Sequence, residues 1–152
     1  LVVMGCQSQK PQPKNNLRAA ARANTPAGDK PVNMRDFDDC AGRMHDIGGL
    51  FLLYYAAHNE MPRTLNDTLA VAGPLERPEL TCPVSKQPYV YSAEGFTARG
   101  DPRVLVLYDP APVHNGNYRA LLMNPPTPGE PLQTWVVQLP PLALQTYLAS
   151  RP

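Results

Sequence analysis

No run of eighteen or more apolar residues occurs in this 152-residue chain, so no stretch of it is a candidate membrane-spanning helix. The HExxH and CxxC spacings that hold zinc are absent, as are a GxSxG nucleophile elbow and a glycine-rich phosphate loop. Those gaps remove the usual signatures of metallohydrolase, serine-hydrolase and nucleotide chemistry, and Ser85, Ser92 and Ser150 lie in no recognisable elbow. Charge of one sign is missing too. The net charge is +1 and the basic residues do not cluster in the part that reads as folded, so nothing suggests a nucleic-acid partner. No catalytic residue, no metal site and no cofactor is therefore expected.

What is present points to short elements. Nineteen prolines and ten glycines fall mostly between periodic segments, which favours strands and turns over a bundle of long helices. The exception is Phe37 to His58. Phe37, Cys40, Met44, Ile47, Phe51, Tyr54 and His58 recur every three or four residues and form one apolar stripe, with Asp38, Asp39, Arg43 and Asp46 off it. Asp36 is the expected N-cap, with Asp38 and Asp39 in the first turn, and Pro62 lies beyond the expected end near Asn59. Leu50 to Ala57 is apolar nearly all round, which predicts cover on more than one side. Gly48 and Gly49 each weaken the helix by about 1 kcal/mol and so mark a place where another backbone or a sheet comes close.

Thr64 to Asp67 has capping-box spacing for one short helix through Val71, with a polar loop as the competing reading. Gly73 to Pro88 reads as a wrapped loop with Cys82 in its middle. Four segments then carry β-branched or aromatic residues between turn residues: Tyr89–Ser92, Arg103–Tyr108, Tyr118–Asn124 and Thr134–Leu139. They predict an antiparallel meander with the nearly all-apolar second strand at its centre, and Asn115-Gly116 turning the chain into the third. Leu142 to Ala149 closes as a short helix. The expected fold is α+β: one long N-terminal helix packed on a four-stranded antiparallel sheet. Tyr54, Tyr55, Tyr89, Tyr91, Tyr108, Tyr118 and Trp135 supply amphipathic rings suited to a core or to contact patches.

The opening LVVMGCQSQ resembles the end of a bacterial lipoprotein signal, a lipobox. The resemblance implies that residues 1–5 are a signal-peptide remnant and that Cys6 carries lipid, anchoring the chain to a membrane on the periplasmic face of the envelope. Residues 6–30, with Pro11, Pro13, Pro26 and no aromatic, then read as a tether, and 31–152 as the globular domain. Three cysteines is an odd number, and lipidation of Cys6 leaves Cys40 and Cys82 as a pair in an oxidising compartment. A disulfide between them is expected. Two buried thiols, or metal ligands together with His45 or His58, are the competing readings. The spacing of His45 from Cys40 does not fit one helical face, His58 reads as a helix-end histidine, and His114 reads as part of its turn.

Cys40, Met44, Ile47, Gly48, Tyr54 and Pro62 stand where pilin-like proteins of the type II secretion pseudopilin kind show a cysteine, a leucine, Ile-Gly, a tyrosine and a proline. TCPVSKQPYVY resembles that group's Cys-Pro loop entering its first strand. VLVLYDPAPVHNGNYRALLM resembles its two central strands, and TWVVQLPPLALQTYLA its last strand and closing helix. The likeness implies a pilin-like domain and, with the lipobox, a non-enzymatic structural or accessory subunit of a membrane-associated assembly whose partners are protein subunits of an envelope complex. A periplasmic binding module for a small ligand or peptide is the alternative. The group's usual long apolar anchoring helix is replaced here by a tether, and Asn124-Pro125-Pro126 stands where it has Asp-Gly.

Overall fold

A computed structural model describes residues 38–74 and 77–150. Cys6, the tether and Asp36 lie outside the described residues. Helix α1 spans Asp39–His58, and the residue that caps it is Asp38, whose carboxylate accepts from the Ala41 N–H at 2.7 Å. The expected cap at Asp36 is corrected accordingly, because Asp38 has the extended backbone (φ −82°, ψ 166°) that a cap requires. At the other end Asn59 turns left-handed (φ 56°) and its N–H bonds the Tyr55 carbonyl. A 3-10 helix follows at Leu65–Ala70, where Asp67 accepts from the Thr64 N–H at 2.7 Å.

The sheet contains β1 (Val90–Ala98), β2 (Asp101–Tyr108), β3 (Tyr118–Met123) and β4 (Thr134–Leu139), paired antiparallel in the order β1-β2-β3-β4. Helix α2 (Pro141–Ala149) closes the chain, with Pro141 at its first turn where the missing N–H costs nothing. Mixed helix and sheet, the four-stranded antiparallel meander and the short C-terminal helix agree with the sequence reading. Strand β1 is longer than its expected Tyr89–Ser92. Its register shifts between Tyr91 and Phe96, and the shift depends on Gly95, which has φ +72° and whose added Cβ would sit 3.0 Å from Val104 Cβ.

Both faces of the sheet are covered. Cys40, Met44, Ile47 and Phe51 of α1 pack with Val104, Val106, Leu107, Leu121 and Met123, while Leu144 and Tyr147 of α2 pack with Leu105, Ala120, Leu122 and Leu139. Strand β3 alternates strictly, Leu121 and Met123 to one side, Ala120 and Leu122 to the other. Strand β2 does not. Its pairing with β3 slips between Leu105 and Leu107, so Val106 and Leu107 both face α1. The slip inverts the phase of everything after it, and Asp109 arrives on the α1 side rather than beneath α2.

The second half of α1 departs from expectation. Leu50 and Phe51 are buried, but Leu53 is 56% exposed and Ala56 and Ala57 face outward, so among the described residues the apolar girth of this half is covered on one side only. The sheet reaches only the inward stripe of a cylinder about 10 Å across. The close approach inferred from the paired glycines holds for Gly48 alone: a Cβ there would meet Thr134 Oγ1 at 3.2 Å and Leu121 Cδ1 at 3.4 Å, whereas at Gly49 it would meet nothing.

Candidate functional site

Four segments converge at the N-terminal end of α1. The first supplies Asp38 and Cys40 from the cap and first turn. The second is the turn after Cys82, where Cys82 N–H bonds Gln87 O, Lys86 N–H returns to Cys82 O, and Lys86 adopts φ 60°. That folding brings the N–H groups of Val84 and Ser85 to 3.4 Å from Cys82 Sγ. Asp109 comes from the third, just past the β2 bulge. His114 comes from the β2–β3 connection, where Asn115 (φ 55°) and Gly116 (φ 78°) make the tight turn and His114 and Asn117 pair across it.

Cys40 Sγ, Cys82 Sγ, a carboxylate oxygen of Asp109 and a ring nitrogen of His114 all lie within 4.8 Å of one another. Cys40, Cys82 and Asp109 are wholly buried, and His114 is 5% exposed. Such a set of two sulfurs, one oxygen and one nitrogen can hold a metal ion. Neither His45 nor His58 belongs to it: both lie exposed on α1, His58 with its ring 4.3 Å from that of Tyr54.

The expected Cys40–Cys82 disulfide is not formed; both are free thiols. Each sulfur is otherwise engaged, Cys40 Sγ with the Tyr89 hydroxyl at 3.2 Å and Cys82 Sγ with the two backbone N–H groups of its own turn. Burial is the main reason the Cys40 thiol is pushed up to about 12, which leaves it protonated and inert by itself. Burial likewise raises the Tyr89 hydroxyl well above its ordinary value.

The second layer of contacts is ordered. His114 Nδ1 lies 2.9 Å from Asp38 Oδ2, and since a carboxylate only accepts, Nδ1 carries the proton. Nε2 is thereby turned inward, 3.8 Å from Cys82 Sγ and 3.5 Å from Asp109 Oδ2. Burial pushes the Asp38 carboxyl up, but the Arg119 bond at 2.7 Å, the Ala41 N–H and the charge of Arg119 outweigh it and hold the group below its ordinary value. Asp109 Oδ1 accepts from Ser85 Oγ at 2.9 Å and from the Ala111 N–H at 3.0 Å. Its other oxygen, Oδ2, is buried with no hydrogen-bond partner.

Cys82, His114 and Asp38 also have the order of a nucleophile, a base and an orienting carboxylate. Geometry denies them a substrate, since Cys82 has no exposed surface. Of the residues the sequence singled out, the fold unites Asp38, Cys40, Cys82, Tyr89 and His114. Asp109 was missed, and its signal was faint: a lone acid between the apolar end of a strand and Pro110. No protein-family model, characterised protein or solved structure matches this chain.

Proposed function

We propose that this chain is a non-enzymatic structural or accessory subunit of a membrane-associated assembly in the bacterial envelope, a pilin-like domain hung from lipidated Cys6. The observation that supports this reading best is the outward face of the last turns of α1. Leu53 stands 56% exposed beside exposed Ala56 and Ala57, a stripe where small side chains admit a second helix closely. A helix of a neighbouring protein subunit is the occupant that such a stripe fits. The helix followed by an antiparallel meander is also the element order that the pilin-like resemblance calls for, and a long N-terminal helix laid on the sheet is part of the same proposal.

The alternative, a periplasmic module for a small ligand or peptide, draws on an open groove of about 390 Å³ beside α1, lined in part by Leu52, Tyr55, Ala56 and Leu132. One experiment separates the two. Native membranes extracted in mild detergent should yield the protein with a defined envelope subunit identified by mass spectrometry. Leu53→Glu should abolish that recovery while leaving the circular dichroism spectrum unchanged. A monodisperse monomer with no co-purifying subunit would overturn the first reading, and a mature chain with unmodified Cys6 still joined to Gly5 would overturn the anchor.

A further inference from the structure

We propose that Cys40, Cys82, Asp109 and His114 form a closed four-coordinate zinc site that ties the start of α1 to the Cys82 turn and to both ends of the β2–β3 connection. The inference is independent of the assembly role.

Three observations converge on it. The first is distance. Zinc bonds near 2.0 Å to nitrogen or oxygen and 2.3 Å to sulfur imply tetrahedron edges of about 3.3 to 3.8 Å. The His114–Asp109 edge is 3.5 Å and the His114–Cys82 edge 3.8 Å. The second is the orphaned oxygen. Asp109 spends Oδ1 on Ser85 and Ala111 and leaves Oδ2 bare in a fully buried place, an arrangement that costs free energy unless a cation faces it. The third is the outer shell. Asp38 fixes the His114 tautomer so that the Nε2 lone pair points inward, the carboxylate–histidine arrangement typical of metal ligation. Two N–H groups aimed at Cys82 Sγ and the Tyr89 hydroxyl at Cys40 Sγ are placed to stabilise sulfur as thiolate.

Donor chemistry selects the ion. Two thiolates, an imidazole and one carboxylate are too soft for calcium or magnesium, which take oxygen ligands. All four positions are filled by protein and sealed from solvent, which describes a structural site rather than a catalytic one that keeps a position open for water. The step balances without a redox partner. Each thiol gives up one proton as its sulfur bonds the metal, so two protons leave per zinc, while His114 binds neutral and Asp109 as its carboxylate.

The test uses the full chain, purified under reducing conditions, stripped with a chelator and titrated with cobalt(II) as a spectroscopic stand-in. The expected result is one equivalent bound, with thiolate-to-cobalt charge transfer in the near ultraviolet and the intense visible bands of tetrahedral cobalt. Zinc should displace it stoichiometrically and protect Cys40 and Cys82 from alkylation. Asp109→Asn retains an oxygen for Ser85 and Ala111 and removes the metal-facing charge; it should keep the fold and weaken zinc binding by about a hundred-fold or more. His45→Ala, outside the site, should change nothing. Weak octahedral cobalt bands, unprotected thiols at saturating zinc, or Asp109→Asn binding as tightly as the parent would each overturn the proposal. So would native protein whose Cys40 and Cys82 are wholly disulfide-linked.

Discussion

The two ends of α1 reverse the usual partition of side chains. At its N-terminal end two thiols, a histidine and a carboxylate are sealed from water. At its C-terminal end Leu53, Ala56 and Ala57 face outward. Polarity alone sorts neither end. The buried polar cluster is tolerated because nearly every atom in it has a partner, and the exception, Asp109 Oδ2, is the atom a cation would satisfy. The exposed leucine costs little, since single apolar side chains on a surface are ordinary. One end of the helix closes around polar side chains, the other presents an apolar stripe.

The largest expected effect lies at the sealed end. Stripping the metal from reduced protein should lower the melting temperature by on the order of 10 °C or more, if zinc is held at a thousand-fold over its dissociation constant. Calorimetry with and without chelator reads this, and equal melting temperatures would erase the contrast between the ends. Next come paired truncations along α1. Phe51, wholly buried and stacked 5.3 Å from Tyr91, should cost about 3–5 kcal/mol as alanine, whereas Leu53→Ala should stay within about 0.5 kcal/mol. Denaturant melts giving similar losses would mean that the outer face is covered after all.

The glycines between the two ends offer a finer test. Gly49→Ala should stabilise by up to about 1 kcal/mol, because its Cβ meets open space, while Gly48→Ala should forfeit that gain against Thr134 and Leu121. Smallest is the acid response. Asp38 is held below its ordinary value of 3.8, so its contribution is present above that pH and is lost as pH falls through its lower folded value. Metal-free protein should therefore lose stability below about pH 4 more steeply than Asp38→Asn, which keeps the helix cap. Parallel pH profiles for the two would show that the Asp38–Arg119–His114 contacts add nothing at that end.

Much of the frame was legible. Runs of β-branched and aromatic residues between turn formers located the four strands, because such residues have few other places to go. Asn115-Gly116 marked its turn because the paired positive φ angles leave little choice of residue. The extra length of β1 was not read, because its continuation past Ser92 runs through a register shift at Gly95. The cluster was less legible still. Its donors come from segments far apart in the chain, and the histidine nearest Cys40 on its own helix, His45, is five residues on, off that face and exposed. The disulfide was inferred from the parity of cysteines. Parity says which thiols remain, but not which way their sulfurs turn.

By itself the sequence determined the local elements, since the periods of apolar residues and the turn formers act within a few neighbours along the chain. Only the tertiary structure decided what the reactive residues became. A one-residue slip in the pairing of β2 and β3 swung Asp109 to the face where Cys40, Cys82 and His114 wait. A slip of that kind is set by packing two faces of a sheet at once, and no short stretch of sequence records it.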